Sequence, residues 1–118
     1  MRKLLLTLLL SISALCLRAE TVAPQFPGGD EALAKYLKET VKYPKRAADY
    51  GVEGIVKVRI TVLADGELKD AKVVTPIDPD LEAEALRVVA AMPRWIPASA
   101  DGVPVEDSAI VEVTFLLD

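Results

Sequence analysis

The chain has 118 residues, with 14 basic and 18 acidic side chains, a single cysteine and no histidine. That length holds one domain. The acidic balance works against phosphate backbones and anionic lipid surfaces, and the missing histidine removes the commonest general base and metal ligand.

Residues 1–19 read as an export signal. Arg2 and Lys3 form a basic start, Leu4 to Leu17 form an apolar stretch, and Leu17-Arg18-Ala19 ends on a small residue suited to signal peptidase. About 14 apolar residues at roughly 1.5 Å each reach about 21 Å, short of a hydrocarbon core of roughly 30 Å. Cleavage is therefore expected after Ala19; the alternatives are an uncleaved segment that anchors the chain in the inner membrane, or acylation of Cys16, which has the bulky Leu15 before it. Cleavage removes the only cysteine, so no disulfide or thiolate metal site is expected. It also leaves eleven basic against eighteen acidic residues, a net charge of −7.

Glu20 to Gly29 carries Pro24, Pro27 and the pair Gly28-Gly29, which predicts an extended lead-in that is neither helical nor paired. From Asp30, a first-turn acid or N-cap, the residues Leu33, Tyr36, Leu37 and Val41 follow at helical spacing. Pro44 opens a second, short helix, Lys45 to Tyr50, closed by Gly51. Between Gly54 and Leu63, Val56, Val58, Ile60 and Val62 alternate with Lys57, Arg59 and Thr61, a strand with one buried face. Asp65-Gly66 offers positive φ angles for a tight turn, so Glu67 to Thr75 returns antiparallel. Asp78-Pro79-Asp80 supplies a cap, a first-position proline and a first-turn acid for a helix with Leu81, Ala85, Val88, Val89 and Met92 on one face, stopped by Pro93. Arg94 to Glu106 has the composition of a loop, with Trp95 partly buried at the end of that helix. Ile110 to Leu117 closes the chain as a strand with Val111, Val113, Phe115 and Leu117 facing the core and Ile110, Glu112 and Thr114 facing away. The expected fold is α+β: two principal helices on one face of a three-stranded antiparallel sheet, in the order α, β, β, α, β, spanning residues 30–118.

Catalytic chemistry has little to work with. Ser99 and Ser108 are the only serines beyond the signal, so most hydrolytic mechanisms lack a nucleophile and its base. Asp78, Asp80 and Asp65 are explained by caps and turns, and Glu82 and Glu84, two apart on a helix, face different directions. Gly28-Gly29 lacks the third glycine or the Lys-Ser pair of a phosphate loop and reads as a bend. No enzyme, no cofactor, no metal site, no small-molecule substrate and no nucleic acid are expected.

The ordered set Pro24-Gln25-Phe26-Pro27-Gly28-Gly29, Tyr43-Pro44 with Ala47 and Ala48, Gly51 and Gly54, Gly66, Asp80-Leu81, Ala85-Leu86, Met92-Pro93-Arg94-Trp95 with Pro97, and the closing strand resembles the TonB C-terminal domain family. The resemblance covers nearly all of residues 20–118. It implies a periplasmic domain whose last strand accepts an extended peptide, the TonB box of an outer-membrane transporter, by strand addition. The implied peptide-binding residues are Tyr43 and Pro44 together with Ile110, Val111, Glu112, Val113, Thr114, Phe115 and Leu116. Tyr43 has a second reading as a core tyrosine wedged under a helix. Glu112 and Asp118 near that edge favour a peptide with a basic residue. A strand-exchanged homodimer in the cell envelope is the alternative partnership for the same edge.

One departure from the family pattern matters for function. An energy-transducing TonB carries a membrane anchor and a long proline-rich spacer, whereas here about ten residues, roughly 35 Å when extended, separate the export segment from the first helix. A binding module that recognises its peptide without pulling on it is the expectation.

Overall fold

The computed structural model describes residues 20–118; the expected export segment, residues 1–19, lies outside the described residues. In chain order the elements are β1 (Thr21–Val22), α1 (Gly29–Thr40), α2 (Lys45–Asp49), β2 (Gly54–Val62), β3 (Leu68–Val73), α3 (Pro79–Ala90), β4 (Ala98–Ala100), β5 (Val103–Val105) and β6 (Asp107–Phe115). None of these helices is long and apolar enough to cross a membrane.

The main sheet is antiparallel in the order β3-β2-β6. Alternation along β2 puts Val56, Val58, Ile60 and Val62 out of water on one face, where they meet Val111, Val113 and Phe115 of β6. Burial of each such side chain contributes about 1.5–3 kcal/mol. α3 closes this layer with Leu81, Ala85, Val88 and Val89, all buried. Its start follows the sequence directly, because the Asp78 carboxylate accepts from the backbone N–H groups of Asp80 and Leu81 at 3.0 and 3.1 Å and Pro79 needs no partner there.

α1 is held differently. The chain enters it through Gly28 and Gly29, both in the left-handed region, and a β-carbon on Gly28 would lie 2.7 Å from that of Ala32. No residue of α1 is fully buried; Leu33 and Leu37, from the apolar row at helical spacing, are half-buried against the core. Polar ties to α3 compensate. The Tyr36 hydroxyl donates to the Val88 carbonyl at 2.8 Å, the Lys42 amide donates to Glu84 at 2.7 Å, and Arg87 donates to the Thr40 carbonyl at 3.0 Å.

Two segments depart from the sequence reading. The lead-in is paired: Thr21 and Val22 lie opposite Ala100 and Ser99, and Gln25 and Ile96 exchange both backbone hydrogen bonds. The stretch from Arg94 to Glu106 contains the hairpin β4-β5, turned at Asp101 and Gly102, so that a second sheet forms in the order β1-β4-β5. Pro24 lies between β1 and the Gln25 bridge and Pro27 lies beyond that bridge, so neither occupies a paired position, and Pro104 sits in β5, an edge strand where a missing N–H is harmless. β6 begins at Asp107, earlier than expected, because Asp107 and Ser108 pair with Val62 and Thr61.

The β2-β3 turn is also different in kind. Only Gly66 has positive φ; Leu63 accepts from the Gly66 N–H at 2.8 Å and donates to Glu67 at 2.8 Å, a turn followed by a left-handed glycine. Trp95 is buried more deeply than expected, edge-on to Phe26 with ring centroids 5.9 Å apart.

Candidate functional site

The β2-β6 ladder runs without a break from Gly54↔Phe115 to Val62↔Asp107. Its hydrogen-bond phase can be read from the other side of β2. The Val74 N–H donates to the Lys57 carbonyl at 2.8 Å, so Lys57 turns its backbone polar groups toward β3. Glu112, opposite Lys57 on β6, therefore stands in a non-hydrogen-bonded pair and turns its own N–H and C=O away from β2. By alternation Ile110 and Thr114 do the same. Among the described residues no strand lies on that side of β6. Ile110, Glu112 and Thr114 thus present a row of unpaired donors and acceptors, while Val111, Val113 and Phe115 spend theirs on β2 and bury their side chains.

The opposite edge, β3, is unlike this one. Between Arg59 and Thr61 of β2 the register slips, because β3 uses three steps, Lys72 to Lys69, against two. Asp70, with φ 54°, takes up the extra residue as a bulge. A bulge and charged side chains blunt an edge for pairing. β6 has no such break.

Beside the outer edge of β6 lies an open groove of about 480 Å³, lined by Ala34, Leu37, Lys38 and Val41 of α1 and its C-terminal end and by Glu112, Val113 and Thr114. Here the half-burial of α1 acquires a meaning. A strand added to β6 would alternate its side chains, and every second one would point into this groove over Leu37 and Val41. The missing layer over α1 and the missing partner of β6 are the same vacant volume.

Of the residues named from the sequence, Ile110, Glu112 and Thr114 form the polar rim, and Val113 lines the groove. Val111 and Phe115 support the strand from below, and Leu116 lies past its end, 68% exposed. Tyr43 packs edge-on against Phe115, centroids 5.6 Å apart, and its hydroxyl donates to the Val52 carbonyl. Burial, with the nearby Glu53 carboxylate adding to it, holds its phenol above the ordinary pKa. Pro44 lines, together with Tyr43, a shallow depression shared with Asp80, Glu84 and Arg87 and separate from the groove beside β6. The Tyr43–Phe115 ring contact joins the two sets. Ala34, Leu37, Lys38 and Val41 were not singled out from the sequence as site residues. Leu37 and Val41 belong to the apolar stripe that reads as an ordinary buried helix face, Lys38 reads as pointing away from it, and the strand order leaves that stripe half covered.

The architecture is a helix-backed antiparallel sheet with one blunted and one open edge, a domain suited to holding another polypeptide. The family model for the C-terminal domain of the Gram-negative bacterial TonB protein matches residues 39–117, well over half of the chain, and the chain belongs to that family. The fold is similar to the solution structure of the Helicobacter pylori TonB C-terminal domain, with a TM-score of 0.57 and 24% identity, covering 72% of this chain and 77% of that one. A search among curated proteins found no match.

Proposed function

We propose that this chain is a periplasmic TonB-like binding module that takes an extended segment of an envelope protein, the TonB box of an outer-membrane transporter, as an added strand on β6. The observation that carries this reading is the coincidence of the open β6 edge with the groove over α1. An added strand gains main-chain hydrogen bonds at Ile110, Glu112 and Thr114, and its inward side chains leave water against Leu37, Val41 and Val113. Membership of the TonB C-terminal family supports the link to transport.

The test is a titration of the protein with TonB-box peptides, followed by the amide resonances of β6. The Ile110, Glu112 and Thr114 amides should shift and become protected from exchange, with smaller changes at Val111 and Val113. Unchanged β6 amides with every such peptide would refute the proposal. Dimerisation through the same edge would instead show as concentration-dependent sedimentation without any peptide.

A further inference from the structure

The helices cover one face of the main sheet, and the other face is uncovered among the described residues. Its charge differs from the rest of the protein. Lys57 and Arg59 of β2 point there, opposite Glu112 and Ile110 of β6. Arg59 is also directly opposite Lys72 of β3, and Thr61 is opposite Lys69. Lys69 and Lys72 are three apart and would face opposite ways in a regular strand; the bulge at Asp70 turns both onto this face and lets both Leu68 and Val73 reach the core. Four of the eleven cations of residues 20–118 are gathered here. Against them the paired positions carry one carboxylate, Glu112, with Asp70 at the bulge. The remaining surface holds seven basic and at least sixteen acidic residues.

None of the four cations pairs with a carboxylate among the described residues, where the ion pairs are Lys45–Asp49, Arg87–Glu84 and Arg94 with Asp65 and Glu67. Arg59 facing Lys72 is a like-charge cross-strand pair, which destabilises a sheet. The fold thus tolerates a local cost that an anionic partner would remove.

We infer that this face is a second docking surface, distinct from the β6 edge, and that its partner is an acidic polypeptide segment carrying apolar residues between its carboxylates. Ile55 and Ile110, 44% and 52% exposed, stand among the cations and supply the apolar contacts. No paired position on the face carries an aromatic ring, so base stacking and interfacial anchoring in a bilayer lack their usual side chains. An anionic membrane would also meet the strongly acidic remainder of the protein.

The test uses the protein expressed from its full sequence and a synthetic peptide of alternating glutamate and valine at physiological salt. Binding should perturb Lys57, Arg59 and Lys72 and persist in Thr114→Pro, which blocks the β6 edge. Lys72→Glu should weaken it on the order of tenfold, while raising the melting temperature by turning a repulsive pair into an attractive one. Lys35→Glu, the same charge change on α1, should leave binding within about twofold if the effect is local. Equal losses from Lys72→Glu and Lys35→Glu, loss of binding in Thr114→Pro, or preference for phosphatidylglycerol vesicles over the peptide would each overturn the inference.

Discussion

Gly66 and Trp95 are locked together through their backbones. The Trp95 N–H donates to the Gly66 carbonyl at 2.9 Å, and a β-carbon on Gly66 would lie 2.2 Å from the Trp95 carbonyl oxygen. The hairpin turn and the segment that buries the indole are therefore one unit. With φ at 90° as well, Gly66→Ala is expected to cost about 2–4 kcal/mol. Chemical denaturation would measure it, and a loss below about 0.5 kcal/mol, the range of ordinary surface substitutions, would refute the coupling.

The hydrogen-bond phase of β6 makes adjacent prolines behave oppositely. Thr114 turns its N–H outward, so Thr114→Pro should leave a folded protein that no longer binds a strand. Val113→Pro removes a ladder bond to β2 and a buried side chain, and should destabilise by about 3 kcal/mol or more. Circular dichroism melts alongside peptide titration would separate the two. Similar loss of stability in both variants would mean the phase is wrong.

Tyr43 distinguishes support from contact. Tyr43→Phe removes the bond to Val52 and keeps the ring on Phe115, so stability should fall by about 1 kcal/mol with peptide affinity unchanged. If the hydroxyl instead touches the peptide, affinity falls in Tyr43→Phe while the peptide-free melt moves by the same modest amount. Isothermal titration would decide.

Glu84 ties α1 to α3. The hydrogen bonds from Arg87 lower its pKa most, burial opposes them, and the Lys42 amide lowers it further. Because the folded-state pKa lies below the unfolded one, the contribution to stability is complete above the ordinary carboxylate range and is lost as pH falls through the lowered value. Glu84→Gln should therefore be less stable near neutrality, by about 1 kcal/mol, and should lose less on acidification from about pH 5 to about pH 3. Parallel pH profiles for the two proteins would contradict this.

The legibility of the fold followed the range of the interactions. β2, its return strand and α3 were readable because alternation, the turn glycine and the Asp78-Pro79 cap are local signals. Of the residues read as facing inward, Val56, Val58, Ile60, Val62, Leu81, Ala85, Val88, Val89, Val111, Val113 and Phe115 are fully buried; Met92 and Leu117, at the ends of their elements, are only half-buried, and Leu33 and Leu37 sit where α1 overhangs the groove. β1, β4 and β5 were not readable. Each is two or three residues long and exists only because its partner is nearby, while Pro97 and Pro104 signal loop to any local rule. Of the candidate site, the strand and its outward residues are legible from alternation and family resemblance. The α1 side of the groove and the phase of the amides required the strand order and the Val74–Lys57 bond.

The bulge at Asp70 also sets a limit on growth. A sheet with two regular edges can add strands at both and run on without end, as fibrils do. Here one border is already spoiled by its own geometry, so a guest strand on β6 completes the sheet in that direction and nothing comparable is offered on the other. Two copies meeting at β6 would form a pair with a β3 at each outer margin, and a third copy would find no equivalent seat. If β6 takes a guest strand or a twin as proposed, the limit to one is set by a single residue with positive φ, Asp70, on the strand at the opposite border of the main sheet.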